Sequence, residues 1–322
     1  MQVNTIGVIT SGGDAPGMNA AIRSIVRTAK YYNLRAVGIN KGFKGLVHGD
    51  IREFTARDVS DILGRGGTIL QTARCPEFLD IEVKKVAIDM ARYHNIDSVV
   101  VIGGDGSFRG AKSLCELGLP AIGIPATIDN DINCSDYSIG FDTAINTAMQ
   151  AVDKIRDTAT SHERCNIIEV MGRASGAIAI QVAIACGAEA VFIPEMTEEE
   201  RPDIIKVITD GIKRNKQHFI VVVAEGVGHS NELCEFIQSQ TGIVTRVNTL
   251  GYMQRGGSPT VMDRVIAAQM GEYAVELLIH GVSNRIVGMK NNRVYDIDIF
   301  EGLEQQKEVR RDLIELANKL SV

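Results

Sequence analysis

Short apolar runs alternate with longer stretches of helical spacing along this chain. Helical spacing covers, among others, Met18–Tyr31, Phe141–His162 and Thr260–His280. Strands that alternate with helices in this way form parallel sheets covered by helices on both faces, so the pattern predicts an α/β fold. The apolar runs predict strands at Thr5–Thr10, Arg35–Asn40, Ser98–Gly103, Ala121–Pro125, Asn166–Val170, Ala190–Ile193, Phe219–Ala224, Val244–Thr249 and Arg285–Met289.

Length and composition bound the class of protein. At 322 residues and 45% hydrophobic, the chain is long enough for two packed α/β domains or one large one. A net charge of −6 without a basic run argues against nucleic acid as the main partner. No apolar segment approaches the roughly 20 residues that span a membrane, and the N-terminus lacks a signal pattern. We therefore expect no membrane partner and a cytoplasmic location.

The cysteines form no metal-binding pattern. They are scattered without a C-x-x-C pair or a nearby histidine set, which argues against structural zinc. Most of them are expected to be small buried side chains in a reducing compartment. Cys75 is the exception, because it lies in a glycine-rich loop that carries an arginine. The full set is Cys75, Cys115, Cys134, Cys165, Cys186 and Cys234.

The motif IGGDGS, at Ile102–Ser107, marks a candidate phosphate site. A buried strand that runs into glycines and a helix N-terminus presents backbone N–H groups to phosphate oxygens. Asp105 adds a carboxylate of the kind that holds Mg²⁺. SGGDAPGMNAAIR, residues 11–23, is a second turn of this type, in which glycines such as Gly13 permit close backbone approach. One such turn often merely joins a strand to a helix, but two together favour phosphoryl transfer.

The motif PATIDNDI, residues 125–132, places Asp129 and Asp131 two positions apart just after a predicted strand. Adjacent carboxylates in a phosphate-lined cleft repel each other and need a metal, an arginine or a bound proton to coexist. The motif fits either an Asx-rich turn or a general base that takes a proton from an attacking hydroxyl.

Several arginines lie in glycine-rich or strand-end contexts rather than on evident helix surfaces. Each alone fits a solvated side chain or a surface ion pair. As a set beside acidic motifs and phosphate loops, they are typical of clamps for phosphorylated ligands. Because ligands gather at the carboxyl ends of strands in open α/β sheets, this placement favours a catalytic cleft between two sheets. The set is Arg74, Arg164, Arg173, Arg246 and Arg255.

Taken together, these segments resemble those of the bacterial ATP-dependent 6-phosphofructokinases. The resemblance rests on SGGDAPGMNAAIR, RGGTILQTARCPEF, VVVIGGDGS, TIDNDI, DKIRDTATSHER, IEVMGR and QRGGSPT, in the family's order from residue 5 to about residue 293. It implies two Rossmann-like three-layer α/β/α domains with mostly parallel sheets and the active site in the cleft between them. The implied larger, ATP-binding domain is 1–140 plus about 254–304, and the smaller, sugar-phosphate-binding domain is about 141–253 plus 305–322.

The resemblance implies phosphorylation of fructose 6-phosphate by ATP to give fructose 1,6-bisphosphate and ADP. Asp129 matches the family's catalytic base, and Thr127 and Asp131 flank it. Arg173 and Gly13 match residues near the transferred group. The implied ATP-binding residues are Gly13, Arg74, Cys75, Gly104, Asp105, Gly106 and Ser107, with Asp105 as the Mg²⁺ ligand.

The resemblance also implies a sugar-phosphate site and a quaternary structure. In the family, the counterparts of Arg164 and Arg246 reach in from a neighbouring subunit. An active site completed in this way implies a homotetramer. The implied residues are Thr127, Ile128, Asp129, Arg164, Met171, Gly172, Arg173, Glu225, Arg246, Tyr252 and Arg255.

A separate effector site is implied, at which ADP activates and phosphoenolpyruvate inhibits. Arg23 and Arg27 lie one helical turn apart, so they repel each other unless an anion or an acidic neighbour lies between them. Two ordinary exposed arginines are the alternative. The implied residues are Arg23, Arg27, Arg156, Gly187, Glu189, Arg214, Lys216 and His218.

Four residues depart from the family pattern. Tyr252 stands where the family usually has a histidine that touches the sugar 6-phosphate, and Ala126 replaces a glycine before Thr127. Leu79 replaces a basic residue near the nucleotide, and Gln217 replaces a lysine of the effector site. These changes bear on affinity, turnover and effector response rather than on reaction type.

The phosphate donor and the class of function have alternatives. Pyrophosphate-dependent relatives usually carry Asp at the position of Gly106 and Lys at that of Ala126, so the residues here favour ATP. A pyrophosphate-dependent enzyme and a nucleotide-sensing paralogue with little turnover remain alternatives. A Rossmann dehydrogenase is disfavoured, because the first turn lacks G-x-G-x-x-G and an acidic residue in the ribose position.

Overall fold

The computed structural model describes residues 3–321. They form two compact units, between which the chain passes three times. The first unit contains the residues up to Thr143 together with Arg255–Lys307. The second contains Ala144–Gln254 together with the residues from Glu308 onward.

The secondary structure alternates between strands and helices. The strands are β1 (Thr5–Thr10), β2 (Arg35–Ile39), β3 (Ile51–Phe54), β4 (Ser98–Gly103), β5 (Ala121–Pro125), β6 (Cys165–Val170), β7 (Ala190–Phe192), β8 (Phe219–Ala224), β9 (Thr245–Thr249), β10 (Arg285–Lys290) and β11 (Arg293–Asp298). The α-helices are α1 (Met18–Tyr31), α2 (Gly42–His48), α3 (Ile81–Tyr93), α4 (Asp105–Glu116), α5 (Phe141–His162), α6 (Ala177–Cys186), α7 (Ile204–Lys213), α8 (Ser230–Thr241), α9 (Val261–Ile279), α10 (Ile299–Glu304) and α11 (Arg311–Leu320). Short 3₁₀ helices lie at Pro76–Leu79, Glu198–Glu200, Glu225–Val227 and Gly251–Arg255. Within the described residues, no helix has both the length and the apolar character needed to cross a bilayer.

The first unit is built on a seven-stranded sheet in the order β11-β10-β5-β4-β1-β2-β3. The five inner strands are parallel, and β3 and β11 pair antiparallel at the two edges. β1 and β4 are buried along their whole length, because their apolar side chains face helices on both sides. The parallel centre puts the carboxyl ends of β1, β4 and β5 along one edge of the sheet.

Helices cover both faces of this sheet. On one face, Leu46 of α2, Ile88 of α3 and Phe108 of α4 pack with alternate residues of the strands. On the other face, α1 lies against α9, and Ser24 Oγ donates to Ala268 O at 2.6 Å. The result is a three-layer α/β/α arrangement.

The second unit has a four-stranded, wholly parallel sheet in the order β7-β8-β6-β9. Ile208 of α7 and Ile237 of α8 pack with Phe219 and Val221 of β8 and Ile167 of β6 in one buried cluster. α6 packs against β8, and α11 packs against α6 and β7. Parallel strands joined by helices again place their carboxyl ends along one edge.

The predicted α/β fold is confirmed, and several element bounds agree to the residue. The helices predicted at Met18–Tyr31 and Phe141–His162 have those bounds, as does the strand Ser98–Gly103. Thr260 and His280 are the caps of α9 rather than its first and last helical residues. Thr260 Oγ1 accepts from Asp263 N, which fixes the start of that helix.

Two strands, β3 and β11, were absent from the sequence prediction. In both of them, most residues are exposed or half-buried, so they lack the continuous apolar run that marked the inner strands. Edge strands that pair on one side only need no such run. The sheet of the first unit therefore has two more strands than predicted, and it is mostly parallel, as predicted.

Candidate active site

In the first unit, three loops leave the sheet side by side. They follow the adjacent parallel strands β1, β4 and β5 and begin at Ser11, Gly104 and Ala126. Ser11 N donates to Ile102 O at 3.0 Å, and Ala126 N donates to Gly103 O at 3.0 Å. Because these bonds continue the hydrogen-bonding pattern of the sheet one residue past the strand ends, the three loops begin next to one another.

Missing side chains allow the first two loops to touch. A Cβ on Gly103 would lie 2.4 Å from Ser11 O and 2.4 Å from Ser107 Oγ, so no larger residue fits there. A Cβ on Gly12 would lie 3.4 Å from the same hydroxyl oxygen. The turn after β1 and the first turn of α4 therefore lie close together, as two halves of one phosphate site need to do.

The first turn of α4 has the features of an anion site. Gly104 is its N-cap and supplies no side-chain hydrogen bond to the first N–H groups of the helix. Those donors and the helix dipole suit a phosphate. A Cβ added to Gly106 would meet nothing within 4 Å, so open space lies beside this residue. Ser107 is buried beneath the turn.

The loop after β5 reaches the same place. A Cβ built on Gly104 would come within 3.9 Å of Thr127 Cβ, so these two residues lie close together. Asp129 is 1% exposed, and its backbone N donates to Thr127 Oγ1 at 3.2 Å. Ile128 is fully buried and Asp131 half-buried. The turn that carries the predicted base thus lies beside the predicted phosphate loop.

Asp105 carries the carboxylate predicted to hold Mg²⁺. Its side chain is about half exposed, and Oδ2 accepts from Arg109 Nε at 2.8 Å, one turn along α4. An exposed i,i+4 pair contributes only ~0.3–0.5 kcal/mol, so a divalent cation can displace the arginine. Among the described residues, no three His, Cys, Asp or Glu side chains are grouped to hold a metal. One carboxylate still fits Mg²⁺, which completes its shell with substrate phosphates and water.

Arg255 lies against the turn after β1. Its Nη1 donates to Asp14 O at 3.3 Å, and a Cβ on Gly13 would lie 2.7 Å from that nitrogen. Glycine at position 13 therefore lets a guanidinium group approach the backbone closely. The first unit thus places one predicted sugar-phosphate arginine beside a predicted nucleotide residue.

The loop that carries Arg74 and Cys75 has a different environment. Arg74 is exposed, whereas Cys75 packs against the core of the first unit. Burial raises the pKa of the Cys75 thiol. This loop approaches the turn after β1 at Gly67, where a Cβ would lie 3.8 Å from Asp14 Oδ2.

In the second unit, Glu225 holds the turn that follows β6. Its Oε1 accepts from Gly172 N at 3.2 Å and from Arg173 N at 2.8 Å. Arg173 has a φ of 53°, a left-handed conformation that is uncommon outside glycine. Met171 N donates to Gln254 Oε1 at 3.4 Å. The carboxylate of Glu225 thereby stabilises a strained turn that leaves the Arg173 side chain exposed.

Arg164 and Arg246 lie at the amino ends of the strands of the second sheet, opposite the ends that carry Arg173 and Glu225. Arg164 directly precedes β6 and Arg246 is near the start of β9, whereas Arg173 and Glu225 follow the carboxyl ends of β6 and β8. A strand of the length of β6 spans roughly 20 Å at about 3.3 Å per residue. Within one chain, the structure therefore does not bring these two arginines together with Arg173. Tyr252, also predicted at this site, is 83% exposed.

Several residues of the predicted effector site form one charged cluster in the second unit. Lys216 pairs with Glu189, which is only 3% exposed and also accepts from Ile220 N at 2.5 Å. His218 Nδ1 lies 3.4 Å from Thr160 Oγ1. Burial lowers the pKa of the His218 imidazole, and the Glu189 carboxylate opposes that shift.

Arg156 belongs to the same cluster. Its charge lowers the pKa of His218, and its Nη2 donates to Cys186 O. Gly187 follows as the left-handed C-cap of α6. Arg214 is exposed at the end of α7. The cluster combines cations with one buried carboxylate, which suits a ligand that carries both an anionic group and hydrogen-bond donors.

Arg23 and Arg27 lie in the first unit, on α1. They line a surface cavity of about 460 Å³ together with Asp61. Arg27 Nη2 donates to Ala56 O at 3.4 Å. Because an acidic side chain shares the cavity, repulsion between the two arginines does not by itself demand a ligand there.

Sequence reasoning missed two charged residues that shape the loop after β5. Asp263 has the spacing of a helix cap with Thr260, but its carboxylate accepts from Gly140 N and Thr143 N, at 2.8 and 2.9 Å. Helix-cap spacing was the only sequence signal at this position. Lys307 lies in a polar stretch after α10, and no pattern around it indicates a role.

Comparison with known proteins identifies the family. A family model described as phosphofructokinase matches residues 5–278. The chain belongs to the phosphofructokinase family. The resemblance inferred from the motifs is thus confirmed.

Relatives in the phosphofructokinase family match almost the whole chain. The "ATP-dependent 6-phosphofructokinase" of Clostridium botulinum (strain Eklund 17B / Type B) is 50% identical over 316 residues, which covers 98% of this chain and 99% of the relative. The protein of that name from Bacillus cereus (strain B4264) is 51% identical over 317 residues, with the same coverage. The structure of phosphofructokinase from Saccharomyces cerevisiae matches with a TM-score of 0.88 and 30% identity. That match covers 99% of this chain and 48% of the yeast chain, so this chain spans about half the length of the yeast chain.

Proposed function

We propose that this protein transfers the γ-phosphoryl group of ATP to the 1-hydroxyl of fructose 6-phosphate, a reaction of glycolysis. Full-length relatives at 50% identity carry the name of that activity. The observation that carries the proposal is that the Asp129 turn starts beside the glycine loop: Ala126 N donates to Gly103 O at 3.0 Å, and a Cβ on Gly104 would come within 3.9 Å of Thr127 Cβ. A kinase must hold the group that accepts the hydroxyl proton beside the donor phosphates.

The first unit binds the nucleotide in this proposal. Backbone N–H groups at Gly13 and at the start of α4, from Gly104 to Ser107, receive the phosphates. Gly106 leaves open space where a side chain would crowd the α-phosphate. Arg74 and Cys75, in the loop between β3 and α3, bind the rest of the nucleotide. ATP therefore fits this loop better than pyrophosphate, whose enzymes usually carry Asp at the position of Gly106.

Asp129 acts as the general base. Its carboxylate takes the proton of the sugar 1-hydroxyl as that oxygen attacks the γ-phosphorus. Thr127 and Asp131 lie in the same turn, and Ile128 shields it from water. Arg173 compensates the negative charge that develops during the transfer.

Asp105 would hold Mg²⁺ when the nucleotide binds. The ion supplies charge neutralisation for the donor phosphates. The ion would take the place of Arg109 at the Asp105 carboxylate. The protein itself contributes the half-exposed carboxylate of Asp105, at the first residue of α4.

The sugar-phosphate site takes residues from more than one subunit. Met171, Gly172, Arg173 and Glu225 follow the carboxyl ends of their strands, whereas Arg164 and Arg246 lie at the amino ends. Two arginines a strand-length from the rest can join the site only from a neighbouring copy. We therefore propose a homotetramer in which Arg164 and Arg246 complete the sugar-phosphate site of the adjacent subunit. Tyr252 and Arg255 come from the chain that also supplies Arg173 and Glu225.

Regulation by ADP and phosphoenolpyruvate is also proposed. The cluster around Glu189, with Arg156, Lys216 and His218, offers cations for a phosphate and a carboxylate for a hydroxyl or a cation. Arg214 and the pair on α1 extend the set of cations. Activation by ADP would then lower the concentration of sugar phosphate needed for half-maximal rate.

A coupled assay of fructose 1,6-bisphosphate formation with ATP or pyrophosphate as donor tests the reaction. We expect kcat/KM to be at least roughly 100-fold higher for ATP, which corresponds to about 2.7 kcal/mol. A preference for pyrophosphate would establish the alternative donor. ADP binding without turnover at high sugar-phosphate concentration would instead indicate a nucleotide sensor.

A further inference from the structure

Lys307 bridges two points of the loop that carries Asp129. Its Nζ donates to Asn130 O at 2.7 Å and to Ser135 O at 2.9 Å. Its backbone N donates to Asn133 Oδ1 at 3.3 Å. All these residues belong to the first unit. A side chain far away in sequence therefore closes this segment of the loop.

The lysine acts on the residue next to the proposed base. Asn130 directly follows Asp129 and has a φ of 48°, in the left-handed region. Its side chain is held as well, since Nδ2 donates to Asp136 O at 3.3 Å and Oδ1 accepts from Ser138 Oγ at 3.2 Å. The bond from Lys307 to Asn130 O fixes the peptide between Asn130 and Asp131, the second peptide after the base. A contact from outside the loop thus holds the backbone at the residue after Asp129.

A charged group at this position is costly for the fold. Lys307 is half-buried, and burial lowers the pKa of its ammonium group to about 8, although Asp131, Asp136 and the thiol of Cys134 face it and oppose the shift. A lysine whose pKa is lower in the folded than in the unfolded state binds its proton less readily when folded. Its charge therefore lowers the free energy of unfolding at neutral pH. Stability alone does not explain the ammonium group.

We propose that Lys307 is a positioning residue for phosphoryl transfer: it fixes the carbonyl groups of Asn130 and Ser135 so that the Asp129 carboxylate stays aligned with the sugar hydroxyl. This inference rests on the role of Asp129 in the proposed function. Lys307 touches no reacting atom. Its loss therefore lowers the fraction of molecules with an aligned base rather than the affinity for either substrate.

Steady-state kinetics of two variants and one control test the inference. Lys307→Met keeps the apolar stem and removes the donors, so kcat should fall roughly 10- to 100-fold, as a misaligned reacting group implies. KM for ATP and for fructose 6-phosphate should stay within about threefold. Lys307→Arg restores a charged donor and should recover most of the lost kcat. Lys112→Met is the matched control, because Lys112 is another half-buried lysine of the first unit, with its Nζ 4.9 Å from the Phe300 ring centroid.

Two further readouts separate positioning from general stability. Amide hydrogen exchange in residues 130–136 should accelerate in Lys307→Met, while exchange in β1 and β4 and the midpoint of thermal unfolding change little. The native enzyme should lose part of its kcat as pH rises through about 8, because the neutral amine of Lys307 donates weaker hydrogen bonds than the ammonium group. In Lys307→Arg that decline should move to higher pH, since the guanidinium group stays charged.

The outcomes are distinguishable. A kcat for Lys307→Met within twofold of the native enzyme would overturn the inference, as would a lower melting temperature with unchanged kcat. If Lys307→Met is unfolded at the assay temperature, the pH profile of Lys307→Arg decides, and a decline at the native pH would overturn the inference. An inactive native enzyme would overturn the proposed function instead.

Discussion

The Asp263 carboxylate accepts from both donors of Thr143, from its backbone N at 2.9 Å and its hydroxyl at 2.5 Å. It also accepts from Gly140 N at 2.8 Å and from the Tyr137 hydroxyl at 3.0 Å. Asp263 is fully buried, and burial raises the pKa of its carboxyl group. One side chain of α9 thus holds the far end of the loop that begins with Ala126.

Asp263→Asn should destabilise the protein. Asparagine offers one acceptor oxygen and turns an N–H group toward donors, so buried donors lose their partner. We expect the free energy of unfolding in urea to fall by about 2–4 kcal/mol. Asp89→Asn is the control, since Asp89 forms an exposed pair with Arg92, and it should cost less than about 0.5 kcal/mol. Equal effects of the two substitutions would contradict this account of Asp263.

Gly13→Ala should weaken sugar-phosphate binding through Arg255. The new Cβ would lie 2.7 Å from Arg255 Nη1 and would push the guanidinium group away. We expect KM for fructose 6-phosphate to rise roughly tenfold, equivalent to about 1.4 kcal/mol. In an Arg255→Ala background, the same change should cost less than about twofold, because its target is gone. Additive effects in this cycle would show that Gly13 acts by another route.

Tyr252→His should strengthen binding of the sugar phosphate. Tyr252 is 83% exposed and its hydroxyl donates only one uncharged hydrogen bond, whereas histidine can carry a charge. The expected gain is ~1 kcal/mol, a roughly five- to tenfold lower KM for fructose 6-phosphate. The gain should shrink as pH rises from 6 to 8. Tyr252→Phe, which also lacks the charge, should give no gain, and a gain there would refute the explanation.

Inhibition by phosphoenolpyruvate should depend on His218. Burial lowers the pKa of this imidazole, which favours its neutral form when no ligand is bound. An anionic ligand favours the protonated form, so binding takes up a proton and is stronger at pH 6 than at pH 8. The inhibition constant for phosphoenolpyruvate should therefore be lower at pH 6 than at pH 8. His218→Gln should flatten the dependence beyond the inhibitor's own ionisation, and an unchanged slope would exclude His218.

The sequence was sufficient to predict the inner strands and the convergence of the main motifs. Ser98–Gly103 is a continuous apolar run because helices cover it on both faces, and parallel strands bring their following loops to one edge. The edge strands Ile51–Phe54 and Arg293–Asp298 left no such signal, because most of their residues are exposed or half-buried. The inner strands could be predicted from the sequence because both of their faces are buried.

The supports of the candidate site could not be predicted in the same way. Lys307 bonds to Asn130 across 177 positions of sequence, and Asp263 bonds to Gly140 across 123. Neither residue lies in a local pattern that indicates its partner. The glycines and carboxylates that touch ligands obey local rules of turn and strand end, whereas the residues that hold them are defined only by the folded chain.

Replacement of Asp129 tests the central claim most directly. Asp129→Ser should form fructose 1,6-bisphosphate from ATP with a kcat about 10²- to 10⁴-fold below that of the native enzyme, the range for loss of a general base. KM for both substrates and the midpoint of thermal unfolding should change little, because the Asp129 carboxylate accepts the hydroxyl proton only in the transition state. A kcat within about twofold of the native value, in a folded protein, would contradict the assignment of Asp129 as the base.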